Sequence, residues 1–195
     1  LDFLNPTELK RVYAIAFRKD KITGRFLTSH YKKYGLSVVA CAEISLMLTT
    51  GRRTRGEVGS LQWKNYLSGY KPSFKYEKTK TSKKTKVVQF RIGKNAVEVL
   101  QTIQRDKFNN PKSKFFFEPN DIRNGYILPS KDDGKKIGKN KKGKTPYLVD
   151  VRKTWKKLLL LAGVERWLKL YSTRHTFASN HYIQNKDVKG GANAL

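Results

Sequence analysis

A buried helix over residues 36–50 sets the framework of this 195-residue chain. Apolar residues recur there at helical spacing, at Leu36, Val39, Ala40, Ile44, Met47 and Leu48. A helix that is apolar over so broad a face is buried against other elements. Gly51 follows and predicts the end of the helix, because glycine adopts the left-handed conformation of a helix C-terminus without strain.

Other helices are predicted on both sides of this one. Asn5 can cap the first helix, Pro6 suits its first position, and Glu8 falls at the third position of a capping box. Three later segments show helical spacing of apolar residues, at 96–103, at 147–162 with Gly163 as its stop, and at 171–184.

Two segments alternate as strands do, residues 74–77 and 87–92. We expect them to pair as a hairpin whose polar connection, residues 78–86, carries five lysines. The predicted fold is therefore mainly α with a small antiparallel β-sheet, in one domain spanning residues 1–195. Residues 131–144 are predicted to form a flexible lysine-rich loop.

The charge of the chain limits the classes of partner. Its net charge is +27, from 42 Lys and Arg against 15 Asp and Glu. The 131–144 segment holds seven lysines and two aspartates, which leaves +22 on the other residues. A field this strong favours a polyanion, above all nucleic acid. A membrane surface is the weaker alternative, because no basic amphipathic helix and no spanning apolar run stands out.

The cysteine content indicates a reducing compartment. Cys41 is the only cysteine, so the chain has no internal disulfide and no cysteine metal site. Its place in an apolar helix predicts a buried, inert thiol. No signal-peptide pattern begins the sequence. We therefore expect a cytoplasmic protein.

A basic turn follows the central helix. Arg52, Arg53 and Arg55 fall within four residues, and like charges this close repel unless an anion or a carboxylate faces them. Glu57 can neutralise one of them. The alternative is a solvated basic turn.

A second basic element, residues 171–179, reads Tyr-Ser-Thr-Arg-His-Thr-Phe-Ala-Ser. Ser172 or Thr173 can cap a helix here, which would leave first-turn N–H groups facing an anion. Arg174 adds a planar fork of donors suited to a phosphate. The alternative is a structural arginine at a helix start. The lysine hairpin likewise fits either a phosphate backbone or solvent.

These three basic elements, in this order, resemble the catalytic domain of the tyrosine recombinase (phage integrase) family over nearly the whole chain. The resemblance implies site-specific cleavage and rejoining of double-stranded DNA, without cofactor or metal. In that chemistry a tyrosine attacks the scissile phosphate and forms a 3′-phosphotyrosine. Two arginines stabilise the charge that builds on the phosphate, and a hairpin lysine protonates the leaving oxygen.

The resemblance assigns roles residue by residue. Arg174 matches the second catalytic arginine, and Lys80 matches the hairpin lysine. Glu57 and Trp63 match the acidic and aromatic positions that follow the first arginine. The remaining basic residues near the site are predicted to contact DNA: Arg52, Arg55, Lys78, Lys83, Lys84 and Lys86.

The position assigned to the first catalytic arginine depends on the residue from which it is counted. Counted forward from Gly51, it is Arg53, whereas its slot counted back from Glu57 falls on Thr54. The turn therefore holds one extra residue. We predict Arg53, with Arg55 as the alternative.

Two residues of the second basic element depart from a simple match. Tyr171 stands where the family often has a histidine or lysine, and a phenol is a poor base near neutral pH. We therefore expect Tyr171 to donate a hydrogen bond rather than to transfer a proton as a base. His175 is expected to hold the element in place.

The resemblance also implies that the nucleophile lies outside these 195 residues. Leu195 matches the first residue of the family's Leu-Gly-His element, and the tyrosine would follow it. Tyr182 is expected to be a core residue. An N-terminal DNA-clamping domain would precede Leu1, and the full-length protein would act as a homotetramer on DNA. The alternatives are a non-catalytic DNA-binding module and a basic RNA-binding protein; type IB topoisomerases use similar chemistry.

Overall fold

The computed structural model describes residues 2–53, 57–79, 85–130, 146–148 and 150–185. Over these ranges the protein is mainly helical with one small antiparallel sheet, which confirms the predicted fold class. The helices are α1 (Pro6–Ala16), α2 (Thr28–Lys33), α3 (Val38–Thr50), α4 (Lys94–Phe108), α5 (Arg152–Leu161) and α6 (Ser172–Asn185). The predicted loop at 131–144 lies outside the described residues.

Helix α3 is the centre of the core. Eleven of its thirteen residues are buried, so the helix is covered on every side and not along one stripe. Helices α1, α4, α5 and α6 all pack against it. The Ser37 hydroxyl accepts a hydrogen bond from the Ala40 N–H at its start, and Gly51, at φ +66°, ends it as predicted. Cys41 is fully buried, and burial raises the pKa of its thiol to about 12.

The sheet contains β1 (Tyr66–Leu67), β2 (Ser73–Thr79) and β3 (Thr85–Arg91), in that order and antiparallel. Strands β2 and β3 form the predicted hairpin, in a register that sets Phe74 opposite Phe90. Both phenylalanines are buried, with ring centroids 5.5 Å apart. This aromatic pair anchors the base of the hairpin to the core.

Helix α5 begins later than its apolar pattern predicts, at Arg152 rather than at residue 147. The reason is a competing backbone partner: the Leu148 N–H donates to the Leu128 carbonyl at 2.9 Å. Apolar spacing cannot distinguish this extended segment from a first helical turn. The helix ends as predicted at Gly163, whose φ is +64°.

The N-terminus of α1 forms the predicted capping box between Asn5 and Glu8. Glu8 is buried, and it also accepts both arms of the Arg166 guanidinium, at 2.5 and 2.7 Å. This paired geometry is the strong form of a charge-assisted hydrogen bond. It joins α1 to the loop that precedes α6.

The ion pair predicts a pH dependence of stability. The hydrogen bond from Arg166 holds the pKa of Glu8 below its ordinary value of 4.5. The folded state therefore binds this proton less tightly than the unfolded chain, so the stabilisation is complete above pH 4.5 and is lost as the pH falls through the folded pKa. We expect Glu8→Gln to lower the free energy of unfolding by about 1.5 kcal/mol at pH 7. This is the low end for hydrogen bonds between charged groups, because Arg166 is partly exposed.

Urea unfolding at pH 7, 5 and 3 measures this difference. The difference in free energy of unfolding between the wild type and Glu8→Gln should become smaller towards pH 3. The exposed Glu118 provides the matched control, and Glu118→Gln should stay within about 0.5 kcal/mol of the wild type throughout. A gap for Glu8→Gln that is constant with pH would contradict the assignment.

No helix in the described ranges has both the length and the apolar character needed to cross a bilayer.

Candidate phosphate-binding site

The basic turn leaves the C-terminus of α3 and closes on itself through two hydrogen bonds. The Glu57 carboxylate accepts from the Arg53 N–H at 2.9 Å. The Val58 N–H donates to the Arg53 carbonyl at 2.9 Å, a bond between residues five apart. Such a π-type turn holds one residue more than an α-turn.

Arg52 lies partly buried over the base of the hairpin, and its contact with DNA stays a prediction. Its guanidinium carbon lies 4.4 Å from the centroid of the buried Phe90 ring, a cation–π contact. Burial lowers the pKa of Arg52, the negative charge of Glu57 opposes that change, and the positive charge of Arg174 adds to it. Arg52 thus joins the basic turn to the base of the hairpin.

Helix α6 begins differently from the sequence expectation of a capping Ser172 or Thr173. Both residues lie inside the helix and are buried. The Thr173 hydroxyl donates to the Leu170 carbonyl at 2.9 Å and does not accept from a later N–H. The first-turn N–H groups of Ser172, Thr173 and Arg174 donate to carbonyls three residues earlier.

This helix start therefore has no free N–H groups at those three positions to receive an anion. The reason is that the chain enters α6 through a tight turn, which uses the donors that a capped helix would leave open. The side chain of Arg174 lies half-buried in the first turn, where it can face an anion.

The fold brings the two basic elements together although they are 118 residues apart. The Arg53 guanidinium carbon lies 5.3 Å from the centre of the Tyr171 ring, and its Nη2 is 3.5 Å from the Tyr171 hydroxyl. His175 meets the same ring edge-on, with centroids 5.0 Å apart. Tyr171 is 46% exposed, so its hydroxyl remains open to a ligand.

These contacts define an arginine cluster, Arg52, Arg53 and Arg174, at the junction of α3, α6 and the sheet. Because Arg52 and Arg174 repel each other, an anion between the elements would be bound favourably. Glu57 neutralises part of this charge. In the described ranges no group of three or more His, Cys, Asp or Glu side chains is placed to hold a metal ion.

The hairpin approaches the cluster at its base. Tyr76 of β2 contacts the Phe90 ring edge-on and interacts electrostatically with Arg52. Lys78 and Lys86 occupy paired backbone positions on β2 and β3. Four further predicted site residues lie outside the described residues: Arg55, Lys80, Lys83 and Lys84. Their roles stay predictions.

Tyr182 is not a core residue, contrary to the sequence expectation. It is 49% exposed on α6. The core face of this helix consists instead of small polar residues, with Thr176 and Asn180 both buried. Apolar and aromatic spacing misses a face of this kind, because its buried side chains satisfy their polar groups by hydrogen bonds.

The fold resembles those of solved recombinase structures. One is XerH site-specific recombinase bound to difH substrate in a pre-cleavage complex, with a TM-score of 0.54 and 15% identity. Another is XerH bound to palindromic difH substrate in a post-cleavage complex, with a TM-score of 0.53 and 14% identity. Both matches cover the whole of this chain, and they cover 47% and 46% of the two XerH chains, respectively. The chain thus spans about half the length of the proteins it matches.

A search of curated proteins found no significant match. The sequence model of the phage integrase family, however, matches residues 3–190, which is nearly the entire chain. With the fold in agreement, the protein belongs to the phage integrase family.

Proposed function

We propose that this chain supplies the phosphate-binding part of the catalytic domain of a tyrosine recombinase, which cleaves and rejoins double-stranded DNA. The observation that carries the proposal is the convergence of Arg53, Tyr171 and Arg174 from distant parts of the sequence onto one exposed cationic surface. Two arginines and a phenol match a phosphodiester, whose two non-bridging oxygens gain charge in the transition state.

Within this site we assign the first catalytic arginine to Arg53. The hydrogen bond between Arg53 and Val58 spans one residue more than an α-turn does. With that residue skipped, counting back from Glu57 reaches Arg53, which is also the position reached by counting forward from Gly51. Arg53 is exposed and touches Tyr171. Arg52 is turned towards Phe90 and acts from behind the surface.

The reaction would proceed as follows. A tyrosine hydroxyl outside these 195 residues releases its proton to water as its oxygen attacks phosphorus, forming a P–O bond and breaking the bond to the 5′-oxygen. Arg53 and Arg174 hold the non-bridging oxygens. Lys80 gives a proton to the 5′-oxygen as it leaves. Attack of a 5′-hydroxyl on the 3′-phosphotyrosine reverses these steps and rejoins a strand.

Tyr171 contributes a hydrogen bond and not a base. Its oxygen is within reach of the Arg53 donor at 3.5 Å, which leaves the O–H proton for a phosphate oxygen. We further propose that the full-length protein works as a homotetramer on DNA. The second candidate, a DNA-binding module without catalysis, is favoured by the same arginine cluster and differs only in lacking a nucleophile.

DNA binding is expected to depend strongly on salt and weakly on sequence. A protein that neutralises about six phosphates loses roughly 10³-fold in affinity between 50 and 200 mM salt. Fluorescence anisotropy with two unrelated 20-base-pair duplexes measures both properties, and duplex RNA as competitor tests the RNA-binding alternative. Affinity that is constant with salt, or tighter binding of the RNA, would contradict the proposal.

A nicked duplex that traps covalent intermediates separates the two candidate functions. Incubated with the full-length gene product, it should yield a protein–DNA adduct that mass spectrometry locates on a tyrosine. Salt-sensitive binding without any adduct would establish the binding module instead.

A further inference from the structure

The first residues of the chain are tied to α6 by buried hydrogen bonds. We refer to residues 3–8 as the start segment. The Leu4 N–H donates to the Thr176 hydroxyl oxygen at 3.0 Å, and the Asn180 side-chain amide donates to the Leu4 carbonyl at 3.1 Å. Leu4 and Thr176 are fully buried, and Asn180 is 6% exposed. Water therefore does not compete for these bonds.

A second attachment secures the start segment at both of its ends. Arg166, in the loop before α6, donates to the Phe3 carbonyl at 2.8 Å and to both carboxylate oxygens of Glu8. The start segment is thus held both on α6 and on the loop that leads into it.

Helix α6 is bonded to the start segment at Leu4 and packs against α3. Helix α3 ends in the basic turn that carries Arg53. Apolar packing is non-directional and fixes the position of a helix along its axis only loosely. Hydrogen bonds have narrow limits of distance and angle, and a slip of one residue moves a helix by about 1.5 Å. The bonds at Thr176 and Asn180 therefore fix the axial position of α6.

This axial position determines where Arg174 lies relative to Arg53. Thr176 follows Arg174 by two residues, which is about 3 Å along the helix. A displacement of roughly 1 Å at a phosphate-gripping group costs up to about 10²-fold in activity. The side chains that fix α6 thus influence the position of Arg174 without touching a ligand.

We propose that Thr176 and Asn180 are positioning residues for Arg174: by binding the start segment, they hold α6 where its arginine and Arg53 meet one phosphate. This inference rests on the function proposed above. It assigns the start segment a role in the site in addition to its role in folding.

A double-mutant cycle on DNA binding tests the proposal. Thr176→Val keeps the shape of the side chain and removes the hydroxyl oxygen. We expect it to lower duplex affinity about 10-fold and to reduce the salt slope by about one, as the loss of one phosphate contact does. Arg174→Ala should have the same effect. Once Arg174 is absent, adding Thr176→Val should change affinity by less than about 2-fold, because the two substitutions remove one interaction.

Two further variants separate positioning from folding. Thr176→Ser retains the hydroxyl and should restore both affinity and salt slope to wild-type values. Asn180→Ala breaks the bond to Leu4 one turn further from Arg174 and should show the same non-additivity with Arg174→Ala. Thermal melting accompanies every variant, because an effect on folding alone would lower the melting temperature and leave the salt slope unchanged.

The outcomes distinguish this inference from the proposed function. If Arg174→Ala leaves affinity and salt slope unchanged, the proposed function fails and the inference with it. If Arg174→Ala lowers both while Thr176→Val and Asn180→Ala do not, or if their effects add to that of Arg174→Ala, only the inference is overturned. Unfolding of both Thr176→Val and Asn180→Ala would also overturn it, since the bonds would then serve folding and not orientation.

Discussion

Replacement of Arg174 by alanine is expected to reduce covalent attachment of DNA at least about 10²–10³-fold in the full-length gene product, the usual cost of one donor to a transition-state oxyanion. The Arg174 side chain can face an anion at the start of α6, whereas the N–H groups of residues 172–174 already donate to carbonyls of the preceding turn. The backbone donors of residues 172–174 therefore cannot substitute for the guanidinium.

The measurement is the yield of adduct on the nicked duplex, with affinity measured in parallel. Duplex affinity should fall only about 10-fold, because many other phosphate contacts remain. Arg174→Lys keeps the charge and loses the planar fork of donors, so its activity should be intermediate. Arg105→Ala removes an arginine from the exposed face of α4 and is the matched control, with near-normal adduct formation expected.

Loss of binding in step with loss of adduct would contradict this assignment. Arg174 would then be needed to hold the protein on DNA or to keep α6 folded, and not to stabilise the transition state. A melting temperature equal to that of the wild type excludes the folding explanation.

The largest expected effect on stability is at Trp155. This side chain is fully buried on α5, and its indole N–H donates to the Leu168 carbonyl at 2.7 Å. Trp155→Ala leaves a large cavity and an unpaired carbonyl, and should cost about 3–5 kcal/mol. In a domain of this size each kcal/mol lowers the melting temperature by about 2–4 °C, so a fall of roughly 10 °C is expected.

Two other substitutions divide that cost into its parts. Trp155→Phe keeps most of the ring and removes the donor, and should cost about 1–3 kcal/mol through the buried Leu168 carbonyl. Trp167 is 57% exposed, and Trp167→Ala should change stability by less than about 0.5 kcal/mol. Equal destabilisation at the two tryptophans, measured by urea unfolding, would contradict the assignment of the largest stabilising role to Trp155.

The sequence by itself determined the elements whose causes are local. The capping box of Asn5 and Glu8, the stops at Gly51 and Gly163, and the paired strands of the hairpin follow from spacing and from backbone preference within a few residues. The surplus of positive charge and the order of the three basic elements likewise needed no coordinates. They were sufficient to identify the family, and they made Arg174 a candidate phosphate contact.

Only the tertiary structure decided those conformations and contacts that depend on a partner distant in sequence. Leu148 is extended because Leu128 takes its N–H, and Arg52 turns inward because Phe90 lies beneath the basic turn. The same holds for Thr176, a polar residue in the core whose partner is the Leu4 backbone, 172 residues away. Periodicity records how apolar a face is, whereas a buried hydrogen bond or a cation–π contact depends on two surfaces meeting. For this reason the sequence could nominate Arg53 and Arg174 as candidate phosphate contacts, whereas only the fold showed that Arg53 meets Tyr171 of the second basic element.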